Sequence, residues 1–337
     1  MKTLILFGLL FSLTVNSYSQ TYEDLNNSAL TKMEKGDYRG AEVDLTRAIA
    51  MNSGVKELYN NRAIARSELK NYPGAIADYS KIIEINPNDA EAYFNRGLLK
   101  YELKNYTNSI LDFDKAAAIT PEDSAIYFAR GNAKNKLLDF NGAFKDHTIA
   151  IEKSTVFSIA YFNRGLVLIS LNKFEEAILD FSNTIKIDST FLQAYYFRGA
   201  AKSYKDDYID AIADFNKVIE REPNNAEAYN KRGQAKFGLK KYEEALSDLN
   251  RAIVLEPGEY DFYFNRGNVK LETLNYQGAI IDYNKSISLD PNNPEVYYNR
   301  GLARLNSNQK SLACIDFKKA LALGYKEANE DIKLYCR

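Results

Sequence analysis

The sequence predicts an all-α array of nine 34-residue helical hairpins followed by a short capping helix, and three observations predict it. An Arg-Gly pair returns every 34 residues, at Arg96-Gly97, Arg130-Gly131, Arg164-Gly165, Arg198-Gly199, Arg232-Gly233, Arg266-Gly267 and Arg300-Gly301, with no insertion or deletion between copies. Self-similarity at such a period marks a repeat architecture. Small residues and large residues also keep fixed register: two columns hold Gly, Ala or Ser, and two others hold Tyr, Phe or Leu but for His147. Small side chains let two helices approach closely while large ones fill the space beside them. Finally, Pro87, Pro121, Pro223, Pro257 and Pro291 stand at one column, where a missing backbone donor ends a helix.

The elements follow in order. Residues 1–19 carry Lys2, an apolar run from Leu4 to Leu13 and Ser17-Tyr18-Ser19, the layout of a secretory signal peptide cut before Gln20. The nine units run 22–55, 56–89, 90–123, 124–157, 158–191, 192–225, 226–259, 260–293 and 294–327. Within a unit, position 4 is Tyr in all but the first, position 8 is Gly or Ala, position 20 is Ala or Ser, and position 24 is mostly aromatic or Leu. Polar pairs such as Lys70-Asn71 and Asp206-Asp207 mark the turn at positions 15 and 16. Residues 326–337 form the cap, helical from Lys326 to Tyr335 by the spacing of Ala328, Ile332 and Tyr335. Basic and acidic residues nearly cancel, 44 against 45, so no net field points to nucleic acid or an anionic membrane.

These columns resemble the tetratricopeptide repeat, a 34-residue helix–turn–helix with large residues at 4 and 24, small ones at 8 and 20, and Pro at 32. The resemblance covers the chain from Tyr22 to Glu327. It implies a right-handed superhelical solenoid whose first helices line a concave groove, each unit stabilised chiefly by its neighbours. This chain departs from the pattern at position 4 (Tyr for Trp), position 7 (Arg for Leu) and position 11 (Lys or Arg for Tyr).

Position 7 is Arg62, Arg96, Arg130, Arg164, Arg198, Arg232, Arg266 and Arg300, with Ser28 in the first unit. Position 23 is Asp throughout: Asp44, Asp78, Asp112, Asp146, Asp180, Asp214, Asp248, Asp282 and Asp316. Both columns fall on packed stripes, where a lone charge costs several kcal/mol. A structural ion-pair ladder is expected, each Asp pairing with the Arg of the following unit, because the one unit without this Arg is the one with no predecessor. The alternative is that the arginines point into the groove and grip acidic ligands.

Positions 2, 5, 9 and 12 of the first helix share a face. By the resemblance, this face is the groove. Phe94, Phe128, Phe162, Tyr196, Phe264 and Tyr298 fill position 5, and Asn95, Asn163, Asn265 and Asn299 recur at position 6. Aromatic rings can pack partner side chains while Asn bonds a peptide backbone. The competing reading is that the position-5 rings pack between repeats. Position 2 is often acidic and never Lys, which disfavours the terminal-carboxylate clamp of family members that bind chaperone tails.

Two cysteines, Cys314 and Cys336, lie near the C-terminus. Cys314 stands at position 21, a column otherwise mostly Ile that should face the next element, so an antiparallel cap places Cys336 about opposite. Either a disulfide staples the cap, or two free thiols are buried there. The single His147 stands in the aromatic column and reads as a core residue. No His/Cys cluster has metal spacing, no phosphate loop occurs, and no nucleophile triad is visible. The expectation is a non-catalytic scaffold or adaptor of the bacterial cell envelope, without cofactor or metal, exported to the periplasm or secreted, with a protein or peptide partner. The alternative is glycan or peptidoglycan binding through the same aromatic groove.

Overall fold

The turns between paired helices are built the same way in every repeat. Position 15 adopts a left-handed backbone at Gly36, Lys70, Lys104, Leu138, Asn172, Asp206, Lys240, Leu274 and Asn308, with φ between 58° and 78°. Only one of the nine is glycine, the residue that takes this conformation at no steric cost. The next residue caps the second helix: Asp37, Asn71, Asp139 and Asn275 accept from the backbone N–H of Gly40, Gly74, Gly142 and Gly278. These glycines are there for space, since a Cβ on Gly40 would lie 2.2 Å from Asp37 Oδ2.

The structure, a computed structural model, describes residues 20–336. The expected leader at residues 1–19 lies outside the described residues. Nineteen helices and no strand occur among them. The first helices are α1 (Tyr22–Glu34), α3 (Lys56–Glu68), α5 (Ala90–Glu102), α7 (Ser124–Lys136), α9 (Ser158–Ser170), α11 (Leu192–Tyr204), α13 (Ala226–Gly238), α15 (Tyr260–Glu272) and α17 (Pro294–Asn306). The second helices are α2 (Tyr38–Met51), α4 (Tyr72–Ile85), α6 (Tyr106–Ile119), α8 (Phe140–Lys153), α10 (Phe174–Ile187), α12 (Tyr208–Arg221), α14 (Tyr242–Leu255), α16 (Tyr276–Leu289) and α18 (Lys310–Ala322). A last helix, α19 (Ala328–Tyr335), follows Gly324. The chain divides into two compact units, α1–α7 and α8–α19, between Leu137 and Leu138. In each unit a helix packs on the next along the chain, so hairpin follows hairpin.

Packing at positions 8 and 24 sets the distance between paired helices. A Cβ on Gly97 would meet Phe113 Cε1 at 2.7 Å, and one on Gly267 would meet Tyr283 at 2.6 Å. Where position 24 is Leu45 or Tyr79, position 8 is Ala29 or Ala63, both fully buried. The core is a series of small clusters, such as Leu25, Leu45 and Leu58 in the first unit and Phe162, Phe181 and Ala194 in the second. At the C-terminus Ala328 is buried against Phe317, and Cys314 is joined to Cys336 by a disulfide with a Cα–Cα distance of 5.5 Å.

Candidate functional site

The charged columns are structural, and their pairing corrects the expectation drawn from the sequence. The arginine bonds the aspartate of its own hairpin. Arg62–Asp78, Arg96–Asp112, Arg164–Asp180, Arg198–Asp214, Arg232–Asp248, Arg266–Asp282 and Arg300–Asp316 are all two-pronged, with Nε and Nη2 donating to the two carboxylate oxygens at 2.6–3.0 Å. The reason is adjacency. Position 8 packs on position 24 across one hairpin, so positions 7 and 23, one residue before each, meet across that same contact.

The arginine does reach the preceding hairpin, through its third nitrogen. Nη1 donates to position 25 there, at Thr46, Ser80, Asp114, Thr148, Ser182, Asn216, Asn250 and Asn284 in turn for Arg62 through Arg300, at 2.7–3.2 Å. The first hairpin carries Ser28 in place of this arginine. Its Asp44 is held by Ser28 Oγ at 2.7 Å and Lys32 Nζ at 2.6 Å instead. Burial raises the Asp44 carboxyl, but these bonds outweigh it and hold the group below its ordinary range. Position 11 supplies the second cation elsewhere too, as Arg66, Lys100, Lys202, Lys236, Lys270 and Arg304, each on the aspartate of its own hairpin. In the fifth hairpin that position is the buried Leu168, and burial pushes the Asp180 carboxyl above its ordinary value despite Arg164.

Position 4 belongs to the same assembly. The guanidinium lies over the Tyr ring three residues before it, 5.2–5.7 Å from the centroid, at Tyr59, Tyr93, Tyr127, Tyr161, Tyr195, Tyr229, Tyr263 and Tyr297. The hydroxyls of Tyr59, Tyr263 and Tyr297 donate to the carbonyls of Ser53, Pro257 and Pro291 in the loop before their own helix. Tyr in place of Trp thus gains a bond that ties one hairpin to the exit of the last. With their nitrogens committed and their side chains less than a fifth exposed, the arginines offer no grip for an acidic ligand.

The groove columns divide. Phe162 is buried and its ring packs on Phe181, Phe191 and Phe197 at 4.8–5.8 Å, so it belongs to the core. Phe94, Tyr196, Phe264 and Tyr298 are half-buried, one edge against the ring at position 24 (Phe113, Phe215, Tyr283 and Phe317) and the other toward the first-helix face. Phe128 is half-buried as well. Tyr298 also reaches the cap, stacking near Tyr325 and donating to Asp331 at 2.9 Å. Three position-6 asparagines bridge neighbouring first helices: Asn61 to Asn26, Asn265 to Asn230 and Asn299 to Asn268. Asn95 and Asn163 are half-buried on the same face.

Open space lies along this face in both units. In the first, Asn26, Leu30, Glu57, Asn60, Asn61 and Glu91 line a pocket of about 400 Å³. In the second, Ile169, Tyr196, Ala200, Ser203, Tyr204 and Gln234 line one of about 430 Å³. Leu30, Ile64 and Leu98 at position 9 stay 37–38% exposed, although aliphatic. His147 is fully buried, and burial lowers its pKa to about 4. Among the described residues no group of His, Cys, Asp or Glu could hold a metal ion, and no helix is long and apolar enough to cross a membrane.

Family models agree with the columns. One described as TPR repeat matches residues 65–104 and 275–307, and two described as tetratricopeptide repeat match 198–263 and 90–123, 159–191 and 294–323. No curated protein sequence matches the chain. Solved structures that are similar include the C-terminal part of a TPR repeat-containing protein from Cytophaga hutchinsonii, 22% identical, covering 70% of this chain and 97% of that one with a TM-score of 0.57. The APC/C hetero-tetramer Cut9-Hcn1 contains another, 16% identical over 92% of this chain and 62% of that one, also at 0.57. YrrB, titled a TPR protein with an unusual peptide-binding site, is 25% identical over 55% of this chain and 95% of that one, with a TM-score of 0.49. Matched family models and repeated columns lead to one conclusion: the chain belongs to the tetratricopeptide repeat family, whose stacked hairpins act as scaffolds for protein interaction.

Proposed function

We propose that the chain is an exported, non-catalytic adaptor of the cell envelope that holds an extended segment of a partner protein against its first helices. One observation carries this reading. The charged columns are turned inward and saturated, whereas the first-helix face keeps half-buried rings, exposed aliphatics and, in both units, a pocket whose lining includes positions 5, 6 and 9. Side chains that are half packed lose little entropy on binding, which suits them as anchors. The Cys314–Cys336 disulfide suits an oxidising compartment and so supports export. The apolar leader composition of residues 1–19 points the same way.

The test places a photoreactive benzoylphenylalanine at Leu98 on the groove face or at Leu111 on a second helix. Leu111 is the more exposed of the two, 57% against 37%, so accessibility alone favours it. Irradiated with an envelope extract, the Leu98 probe should give a discrete protein adduct and the Leu111 probe none. Retention of glycans on an array, with no protein adduct at Leu98, would overturn the adaptor reading in favour of glycan binding.

A further inference from the structure

Hairpins six and seven break the groove columns together. Position 9 is Leu166 in the fifth hairpin and Leu302 in the ninth, but Ala200 in the sixth. Position 12 is Ile169 and Leu271 in the fifth and eighth, but Ser203 in the sixth. The volume those side chains take elsewhere is open here, in the pocket of about 430 Å³. Position 6, usually Asn, becomes Phe197 and Lys231, both lining that pocket. On its rim Tyr204 is 70% exposed, yet its ring is held by stacking on Phe174, 4.9 Å away and tilted by 15°. An apolar cup with a fixed aromatic lip is the form of an anchor pocket.

The cup runs into negative charge. Tyr196 and Phe197 also wall a second pocket, of about 360 Å³, whose far side holds Glu222 and Glu227. A third, of about 440 Å³, shares those two carboxylates and adds Glu256. Asp261 stands beside them, accepting from Asn230 at 3.1 Å, and Glu222 accepts from Asn225 at 2.8 Å. Burial, then the charges of Asp261 and Glu259, push the Glu227 carboxyl above its ordinary value, and Lys231 eases it only in part. Burial and the carboxylates of Glu227 and Asp261 also raise the Tyr196 hydroxyl. Among the described residues, no Lys or Arg forms a salt bridge with Glu222, Glu227, Glu256 or Asp261, whereas Asp214 and Asp248 nearby each hold two cations. The charge is unspent where the apolar cup ends.

Building on the adaptor reading, we propose that hairpins six and seven recognise a partner segment that seats a large apolar side chain over Ala200 and a lysine or arginine among Glu222, Glu227 and Asp261. Complementary charge steers such a segment in and turns acidic segments away. The apolar anchor supplies the buried area, and the basic residue fixes register along the face.

The experiment uses immobilised chain 20–337 and a phage library of random dodecapeptides. Recovered peptides should be enriched in Lys or Arg together with Leu, Met or an aromatic. The most frequent one is then synthesised with fluorescein, alongside a copy whose basic residue is changed to Glu, and titrated by anisotropy. The Glu copy should bind at least about tenfold more weakly, the scale of one lost charge pair. Ala200→Leu with Ser203→Ile, which restores residues the same columns carry elsewhere, should weaken the original peptide about as much. Glu227→Lys, at a half-buried position, should weaken it too and recover the Glu copy, which keeps the test independent of how the filled variant folds. Peptides that bind the chain but show no basic bias, or that bind all variants equally, would overturn this site while leaving the adaptor reading intact. Recovery of no peptide at all would remove both.

Discussion

Hairpins five and six have the same backbone and different tasks. In five, Leu166 and Ile169 stand at positions 9 and 12, half-buried against the core, Phe162 is buried, and Asp180 has one cation. In six, Ala200 and Ser203 leave the face open, Tyr196 is half exposed, and Asp214 has two cations, Arg198 and Lys202. Positions 4, 7, 8, 23 and 24 hold the stack and barely vary between them. Positions 6, 9, 11 and 12 vary, and the groove changes with three of them. The contrast separates residues that make the solenoid from residues that decide what it touches.

The largest effect should come from breaking the two ladders. Arg164→Met leaves Asp180 buried with no cation and should cost about 3–5 kcal/mol at neutral pH in urea denaturation, the usual penalty for stripping a buried pair. Arg198→Met leaves Lys202 3.0 Å from Asp214 and should cost clearly less. Equal losses would show that the second cation does nothing.

A pH series sharpens the comparison at the next column. The second helix before hairpin five carries His147, where the one before hairpin six carries Phe181. The folded chain holds His147 neutral with a pKa of about 4, below the unfolded value near 6.5. The unfolded chain therefore binds the proton first, and stability falls as pH drops from about 6.5 through 4. His147→Phe should remove a loss on the order of 3 kcal/mol at the acid end while changing little above pH 7. Parallel pH profiles for the two chains would contradict this.

The smallest effect concerns helix spacing. A Cβ on Gly165 meets Phe181 at 2.7 Å, whereas one on Gly199 meets Phe215 at 3.0 Å. Gly165→Ala should lower stability by about 1–3 kcal/mol, and Gly199→Ala by less. The reverse order in thermal melts would mean that the rings shift freely.

Much of the fold was legible because sterics leave a one-to-one mark. A large residue at 24 demands Gly or Ala at 8, and both columns are plain in the sequence. The ion-pair partner was not legible, because an identical Asp stands in each neighbouring hairpin and a column cannot say which one is meant. The clue was adjacency, 7 beside 8 and 23 beside 24, with a cation at 11 one turn further on. The left-handed turn residue was hidden behind Lys70, Leu138 and Leu274, none of which advertises it. The groove face could be read as a face, but not its depth: Phe162 and Tyr196 occupy the same position, and only their neighbours decide which is buried.

The most direct test moves the face of one hairpin onto the other. Ala200→Leu and Ser203→Ile together give hairpin six the residues that hairpin five carries at groove positions 9 and 12. The melting temperature should stay within about 1.5 °C of the parent, on the order of 1 kcal/mol for a chain of this size, while capture of dodecapeptides by the second unit is lost. A collapse of the melt, or unchanged capture, would contradict the division between residues that build the stack and residues that read a partner.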